Sequence, residues 1–508
     1  MNQNNISAAE LFQRVRELLT LPDLEAKTRN KMMHDTLILC CHKGVKDTKQ
    51  AFGNLFSQVD YLCKARGIKV ADKIAIQTMR RHSNSQEPLS GEDLKYDARA
   101  LTLFISAVFE ERIPHEVNVL IPHINRPFQK GLEINNRRIR CIVKNWDSDF
   151  IRVDIDQDAD EEEYLVRLKD EENHIDHTYL WDLLKEGMQL NLLDCQVKQP
   201  IITPRLIVVE PDYLVDISSI ATCFTAFGHH PLLYLLNLMK PRANTQATLL
   251  GNFAGAALDD IINSHGKYQV NETVKSNFRE KALEFCTCPW FDAKKFYTDA
   301  SLQAFNLQQV VDILFPRTAS QAQMTAFRGE SLYDRKKAIL EPSFVCEALG
   351  IQGRVDLMTT DCKLLVEQKS GRNMNIETHQ VDPAYHSYQL EPHYVQLLLY
   401  YGVLQHNFKL SNDRVNIRLL YSKYQPQDGL MVVAYYQKLF KEAIEYRNQL
   451  VAASFEIAKE GFEHALNEFT PEVLNVSGTQ DFFYNKYLKP QIEAITNPLH
   501  DLSPLEEA

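Results

Sequence analysis

Two carboxylates and a lysine in the second half of the chain are the residues best suited to carry out chemistry. Asp356 and Glu367 fall on two strand-forming segments that flank the turn Thr359-Thr360-Asp361, so a β-hairpin would bring the two carboxylates together. Lys369 follows Glu367 by two residues and therefore shares its face of the strand. Carboxylate oxygens suit Mg²⁺ or Mn²⁺, and such an ion activates water and neutralises charge on a phosphate. The lysine would orient that water or stabilise the oxyanion.

Gln368 lies between the two and is expected to turn its side chain to the opposite face, while its backbone carbonyl joins the metal ligands. The same short pattern also fits a surface hairpin closed by a cross-strand salt bridge. The helix that follows favours a functional site, because His393, Gln396 and Tyr400 are spaced i, i+3, i+7 and share one helical face. A polar face of this kind suits contacts with phosphates or bases, although taken alone it is typical of an amphipathic boundary.

The hairpin and the helix together resemble the PD-(D/E)xK nuclease superfamily, specifically its RecB-like branch. The matching motifs are Glu341, Gly353 to Asp356, Glu367-Gln368-Lys369-Ser370-Gly371, Gln396 to Tyr400, and Arg447-Asn448 on a later helix. This resemblance implies a restriction-endonuclease-like α/β core. It implies the following roles: Asp356, Glu367 and Lys369 catalytic; Asp356, Glu367 and the Gln368 carbonyl on the metal; Glu341, His393, Gln396 and Tyr400 in support.

The resemblance extends upstream. The segments Leu206 to Val215, Ile217 to Cys223 and Leu249 to Asn252 resemble the start of the nuclease domain in replication and repair helicase–nucleases. In that family a small OB-like β-barrel precedes this region, so the resemblance covers roughly residues 115 to 450. No G-x-x-x-x-G-K-[ST] motif occurs in the sequence, so it carries no recognisable ATP site.

One departure from the family concerns a metal ligand. The family often places a histidine on the helix after Leu249, and here that position is Gly255. Asp259, Asp260 or the more distant His229 are the candidates to compensate for it. We expect metal affinity to be weaker if none of them does.

A second departure concerns an iron–sulfur cluster. Relatives anchor a [4Fe–4S] cluster with one cysteine before the core and three after the Q-x-x-x-Y helix. Cys223 occupies the first position, but no cysteine follows Cys362, so no iron–sulfur cluster is expected. Cys286 and Cys288 are too close together to replace the missing ligands, and free buried thiols are the expected state of all ten cysteines.

The helices and strands that must position these residues are predicted to form a mixed α/β, multidomain chain. Residues 1–112 are predicted to form a helical domain without evident chemistry, a structural or docking unit. Residues 113–212 contain short strands, among them 117–120, which predict a small barrel or sandwich; the resemblance implies that it is the OB-like barrel. The nuclease domain is expected over 213–450 and a helical segment over 451–508. A helix-start signal at residues 503–506 predicts either a longer polypeptide continuing into a helicase or an acidic frayed tail.

Composition limits the classes of protein that fit. The chain has 508 residues, a net charge of −11, 44% hydrophobic residues and 10 cysteines. It has no run of 18 apolar residues and no secretory signal, so a cytoplasmic protein with reduced thiols is expected. The acidic balance argues against a protein that coats nucleic acid. The cations near the hairpin in sequence would instead line a narrow basic channel: Arg354, Arg372, Lys336 and Lys337, with Arg335 beside them.

The sequence therefore predicts a Mg²⁺- or Mn²⁺-dependent deoxyribonuclease that cuts single-stranded or unwound DNA in repair, recombination, replication or defence. Its expected partners are DNA and a helicase in cis or in trans. The alternative is a catalytically degenerate nuclease fold that binds DNA without cutting it, or a scaffold subunit built on the helical front domain.

Overall fold

The chain contains both helices and strands and divides into two compact units. The first unit comprises Met1–Tyr213 and Ser454–Glu460, and the second comprises Leu214–Ala453 and Gly461–Ala508. The computed structural model describes residues 6–21, 24–46, 48, 52, 55–84, 88–126, 137–155, 163–171, 173–225, 228–239, 244–264, 268–327, 331–382, 385, 387–410, 415–461, 470, 482 and 484–500. The acidic segment 154–163 is therefore described only at its two ends, and the helix-start signal at 503–506 lies outside the described residues. No described helix is long and apolar enough to cross a membrane.

The N-terminal part of the first unit is helical, as the spacing of Leu11, Val15 and Leu18 predicted. They are α1 (Ala8–Thr20), α2 (Ala26–Val45), α3 (Leu55–Ala65), α4 (Val70–Asn84), α5 (Gly91–Phe109) and α6 (His115–Asn118). A capping box between Ser7 and Glu10 starts α1. The prediction of a strand over 117–120 is wrong: α6 covers 117–118 and a turn follows at 119–120, where Val117 faces the core and Val119 is 61% exposed.

The β-rich part of the first unit is an open sheet. Its strands are β1 (Arg138–Trp146), β2 (Phe150–Ile155), β3 (Tyr164–Arg167), β6 (Gln189–Leu193), β7 (Gln196–Lys198), β8 (Ile201–Thr203) and β9 (Leu206–Val209), with a separate pair β4 (Lys169–Asp170) and β5 (Ile175–Asp176). The order is β7-β8-β3-β2-β1-β6-β9. The described strands do not close the predicted OB-like barrel, because β7 and β9 lie at opposite edges of the sheet and do not pair.

The second unit carries the remaining elements. Its helices are α7 (Ile217–Ala221), α8 (Leu232–Met239), α9 (Gln246–Asn263), α10 (Val270–Glu280), α11 (Ala282–Cys286), α12 (Ala293–Leu314), α13 (Ala319–Phe327), α14 (Met374–Thr378), α15 (Glu391–Phe408), α16 (Pro426–Gly429), α17 (Gln437–Glu460, ending in the first unit) and α18 (Lys489–His500). Its strands are β10 (Val215–Asp216), β11 (Phe224–Thr225), β12 (Gly228–His229), β13 (Ala338–Leu340), β14 (Ser343–Cys346), β15 (Ile351–Arg354), β16 (Leu357–Thr359), β17 (Leu364–Lys369), β18 (Asn416–Tyr421) and β19 (Leu430–Val432). The predicted long helix near 393–405 is confirmed as α15.

A bent hairpin leads into the main sheet. Strands β13 and β14 pair with β16 and β15 in one continuous antiparallel register, from Ala338 opposite Thr359 to Cys346 opposite Ile351. The strand pairing, but not the register, is interrupted where Glu341 adopts a left-handed φ of 48° and Pro342 follows. Since Glu341 N–H still donates to the Asp356 carbonyl at 3.0 Å, the ladder is held together across the bend. Asp356 therefore lies at the bend.

The main sheet has the order β13-β16-β17-β18-β19, with β17 and β18 parallel and the other neighbours antiparallel. Leu364 and Val366 of β17 join an apolar core with α9 and α12. The alternate residues of β17, Glu367 and Lys369, therefore face the other side. Helix α15 covers that side, because Tyr421, the neighbour of Lys369 on β18, contacts α15.

Candidate active site

The two predicted catalytic carboxylates meet across β16 and β17. Leu357 pairs with Val366, so the antiparallel register places Asp356 opposite Glu367. The backbone N–H of Gln368 donates to Asp356 Oδ2 at 2.6 Å. Burial raises the pKa of Asp356, while this hydrogen bond and the charge of Lys369 oppose the rise. The hairpin prediction is thus confirmed in its geometry, and the two acids share one site.

Glu367 is the more deeply buried acid of the pair. Its side chain is 5% exposed, and Oε1 accepts a hydrogen bond from Lys369 Nζ at 2.8 Å. The other oxygen, Oε2, is buried without a hydrogen-bond partner among the described residues. Burial, reinforced by the charge of Asp356, raises the pKa of Glu367 to about 7. A buried carboxylate oxygen without a donor is costly, so this atom requires an explanation beyond the folding of the chain.

Gln368 turns its side chain to the opposite face, as predicted. Its Nε2 donates to Ser422 Oγ at 2.7 Å, and Ser422 Oγ donates to Gln303 Oε1 at 2.6 Å. Gln303 Nε2 in turn donates to the Ser370 carbonyl at 3.1 Å. This buried network fixes the end of β17 that carries Glu367 and Lys369. Sequence reasoning missed it; the polar Ser422 directly after the apolar strand β18 was its only sign.

His393 lies on the lysine side of the site and is neutral. Burial, with a smaller effect from the charge of Lys369, lowers the pKa of His393 to about 3. The Tyr421 hydroxyl accepts the N–H of Leu390 at 3.0 Å and lies 3.0 Å from His393 Nδ1.

Tyr400 and Gln396 extend along the same helix. The Tyr400 hydroxyl donates to the Arg354 carbonyl at 2.7 Å, and its ring packs so closely on Gly353 that an added Cβ there would lie 2.9 Å from the ring. Burial and the charges of Glu367 and Asp356 raise the pKa of Tyr400. Tyr400 thus holds β15 against the site. Gln396 is half-buried and its amide makes no hydrogen bond to any described residue.

Helix α9 supplies a third acid. Gly251, Gly255 and Asp259 are spaced i, i+4, i+8 and share one face. A Cβ added at Gly251 would lie 3.3 Å from Ser370 Oγ, whereas one at Gly255 would meet nothing within 4 Å. Burial, followed by the charges of Glu341, Asp260 and Asp356, raises the pKa of Asp259 to about 6. At Gly255, where the resemblance implies a histidine, there is therefore open space, and Asp259 lies one turn further along the helix.

The other two candidates to compensate for Gly255 are engaged elsewhere. Asp260 Oδ2 accepts the Thr273 hydroxyl at 2.5 Å. His229 lies between Glu391 and Glu442, with its ring nitrogens 2.8 and 2.6 Å from their carboxylates. Asp259, by contrast, lies near enough to Glu341 and Asp356 for their charges to raise its pKa.

The predicted basic residues are not brought together. Arg354 is exposed and pairs with Glu341 at 3.1 Å, beside the carboxylates. Arg372 pairs with Glu377. Lys337 pairs with Asp361 at 3.0 Å, in the turn between β16 and β17.

That turn is five residues from Asp356, or about 15 Å along a strand. Lys336, next to Lys337, is exposed at the same end. Arg335 donates to the carbonyls of Ile261 and Ile262 at the end of α9, so its role is to cap that helix.

All ten cysteines lie in the described part of the chain, and none forms a disulfide. Cys223 is buried, and burial raises the pKa of its thiol. Among the described residues, no group of three or more His, Cys, Asp or Glu is arranged to hold a metal ion. The chain matches no protein-family model, and no curated protein is significantly similar to it.

Proposed function

We propose that the protein is a metal-dependent nuclease that hydrolyses phosphodiester bonds of single-stranded or unwound DNA. The observation that carries the proposal is Glu367 Oε2, a buried carboxylate oxygen with no hydrogen-bond partner among the described residues, on a residue that lies opposite Asp356 and accepts a hydrogen bond from Lys369. The resemblance of these residues to the RecB-like nuclease motif supports the same conclusion. The DNA repair, recombination, replication and defence settings, and a helicase partner, belong to this proposal.

The residues fit a small divalent cation. An ion held by Asp356 and Glu367, with the Gln368 carbonyl as a further ligand, would satisfy Oε2 and remove the repulsion between the two acids. Mg²⁺ in particular is often held by one or two carboxylates while its remaining ligands are water, so a site of two acids is sufficient. The ion would supply an activated water and neutralise charge on the phosphate.

The protein's own groups perform the remaining tasks. Lys369 Nζ holds Glu367 in place and offers a positive charge where the phosphate charge develops. Tyr400 fixes Arg354 and the bend by its hydrogen bond to the Arg354 carbonyl. Gln396, with an amide that no described residue engages, is available to bind a phosphate or a base.

A cleavage assay tests the proposal. The full chain is incubated with end-labelled single-stranded DNA and Mn²⁺, Mg²⁺ or EDTA, beside the variant Lys369→Ala. We expect products with either metal, none with EDTA, and a rate at least about 100-fold lower for the variant, since removal of one charge-stabilising donor costs that much. Cleavage by the variant at the parental rate would contradict the assignment.

A second candidate is a DNA-binding module with a degenerate site. The open space at Gly255, where the family has a histidine, favours it, as does the absence of a three-ligand group among the described residues. The same assay separates the two functions: DNA binding without products at high protein concentration and in the presence of Mn²⁺ supports the second candidate.

A further inference from the structure

Trp290 is displayed to solvent without a structural reason in the described chain. It lies between α11 and α12, and its side chain is 98% exposed. Its φ of 58° is in the left-handed region that costs a residue with a Cβ about 1 kcal/mol. The next residue, Phe291, packs edge-on against Phe285, at 5.3 Å between ring centroids. The packing of Phe291 in this aromatic cluster therefore fixes the loop backbone that carries Trp290.

Two lysines follow the tryptophan by four and five residues, at the start of α12. Lys294 and Lys295 are both exposed, and neither makes an ion pair with a described carboxylate. The acid next to them, Asp292, caps α12 through a hydrogen bond from the Lys295 backbone N–H at 3.0 Å. An aromatic face beside two uncompensated cations complements a polyanion with stackable bases, which is the chemistry of a single-stranded nucleic acid.

The loop is tied to the candidate active site by two helices. The backbone N–H of Asp292 donates to Gln246 Oε1 at 2.8 Å, at the start of α9. Gln303, further along α12, donates to the carbonyl of Ser370, the residue after Lys369. Ten helical residues separate Ala293 from Gln303, or about 15 Å. Trp290 is thus connected through α12 to Ser370, the residue after Lys369.

We propose that Trp290, with Lys294 and Lys295, is a stacking platform that holds single-stranded DNA on its approach to Asp356 and Glu367. This inference rests on the proposed function and specifies its substrate as a strand with unpaired, stackable bases. Stacking on an aromatic face does not depend on base identity. The platform would therefore bind without sequence preference.

The test measures binding of fluorescein-labelled oligo(dT) to the full chain by anisotropy in EDTA, which prevents cleavage. We expect Trp290→Ala to weaken binding about 5- to 150-fold, the range for loss of one stacked base, and Trp290→Phe to restore most of it. Trp181→Ala is the matched control, since Trp181 is 51% exposed but donates its indole N–H to the Asp147 carbonyl. This control should bind within about twofold of the parent, below the effect of one stacked base.

Lysine variants supply an independent readout. Replacing Lys294 and Lys295 by glutamine should reduce the slope of log affinity against log salt by about 0.7 per lysine. Equal affinity of Trp290→Ala and the parent would overturn the platform, and would leave the nuclease proposal standing if Mn²⁺-dependent cleavage persists. Loss of binding in Trp290→Ala from a chain that never cuts DNA would support the platform and overturn the nuclease.

Discussion

At the scale of single residues, Glu367 is where stability and chemistry conflict. Its carboxylate is buried beside Asp356, and one of its oxygens has no donor among the described residues. The charge and hydrogen bond of Lys369 and, to a smaller extent, the backbone N–H of Asp356 offset part of the cost of its charge. A protein selected for stability alone would replace such a residue by a neutral one. The ion proposed between Asp356 and Glu367 would compensate for this cost.

Glu367→Gln should stabilise the metal-free protein. Because the pKa of Glu367 is raised to about 7 from its ordinary value of 4.5, its contribution to stability is complete below about pH 4.5 and is lost as pH rises through 7. The variant escapes this loss, which is on the order of 2 kcal/mol. Thermal unfolding in EDTA should show a higher Tm for the variant above pH 7 and no gain near pH 4. A gain that is independent of pH would contradict this explanation.

At the scale of elements, the bent hairpin and the two flanking helices build the site. The bend at Glu341 and Pro342 directs Asp356 toward β17, while α15 covers Glu367 and Lys369. The D…ExK spacing predicted the hairpin β16–β17, since alternation along a strand is a local property. The pairing of β13 with β16 and of β14 with β15 was not predicted, because the short segments near 338–346 carry no strong strand signal.

Two glycines should respond in opposite ways to alanine. Gly353→Ala would push its Cβ into the Tyr400 ring and should cost about 1–3 kcal/mol of unfolding free energy. Gly255→Ala meets open space within a helix and should gain up to about 1 kcal/mol. Urea unfolding of both variants gives the comparison. A destabilised Gly255→Ala would show that this space is needed by the fold.

His229 should hold the start of α15 in place through its positive charge, since it lies between Glu391 of α15 and Glu442; we call this arrangement the charged clamp. Two carboxylates, Glu391 and Glu442, flank its ring, and the Tyr446 hydroxyl donates to its carbonyl. Burial alone would lower the pKa of His229, but hydrogen bonds and charge from both acids raise it to about 9. Its stabilisation is therefore complete below about pH 6.5 and is lost as pH rises through 9.

The variant His229→Gln tests the clamp. It should lower Tm near pH 6, with an unfolding free energy smaller by on the order of 2 kcal/mol, and the difference from the parent should shrink above pH 9. His230→Gln is the matched control, because burial lowers the pKa of His230 and no carboxylate raises it. An equal loss in both variants at every pH would exclude the charged clamp.

At the scale of the whole molecule, the net charge of −11 conceals an uneven distribution of cations. Proximity in sequence predicted that Lys336 and Lys337 would accompany Arg354 at the site. A β-hairpin reverses the chain, so residues that are near in sequence can lie at opposite ends of a strand. Lys294 and Lys295 lie more than sixty residues before the hairpin β16–β17. They are nevertheless connected through α12 to the end of β17 that carries Lys369. Long-range placement of this kind cannot be read from one sequence.

The cations should therefore differ in their effect on DNA. Replacing Lys336 and Lys337 by glutamine should leave the affinity for single-stranded DNA and its salt dependence unchanged, because Lys337 is paired with Asp361 about 15 Å from Asp356. Arg354→Gln should weaken binding by about threefold to tenfold, as expected for one phosphate contact beside the carboxylates. Anisotropy titrations over a salt series provide the comparison. A reduced slope for the double lysine variant would restore the basic channel predicted from sequence.

Cleavage of labelled single-stranded DNA by Asp356→Asn tests the central claim most directly. The amide keeps the shape of the side chain and an oxygen for the Gln368 N–H, so the fold should be retained and can be verified by thermal unfolding. With Mn²⁺ present, the account predicts products from the parent chain and at least about a 100-fold lower rate from a folded variant. A folded Asp356→Asn protein that cuts DNA as fast as the parent would contradict it.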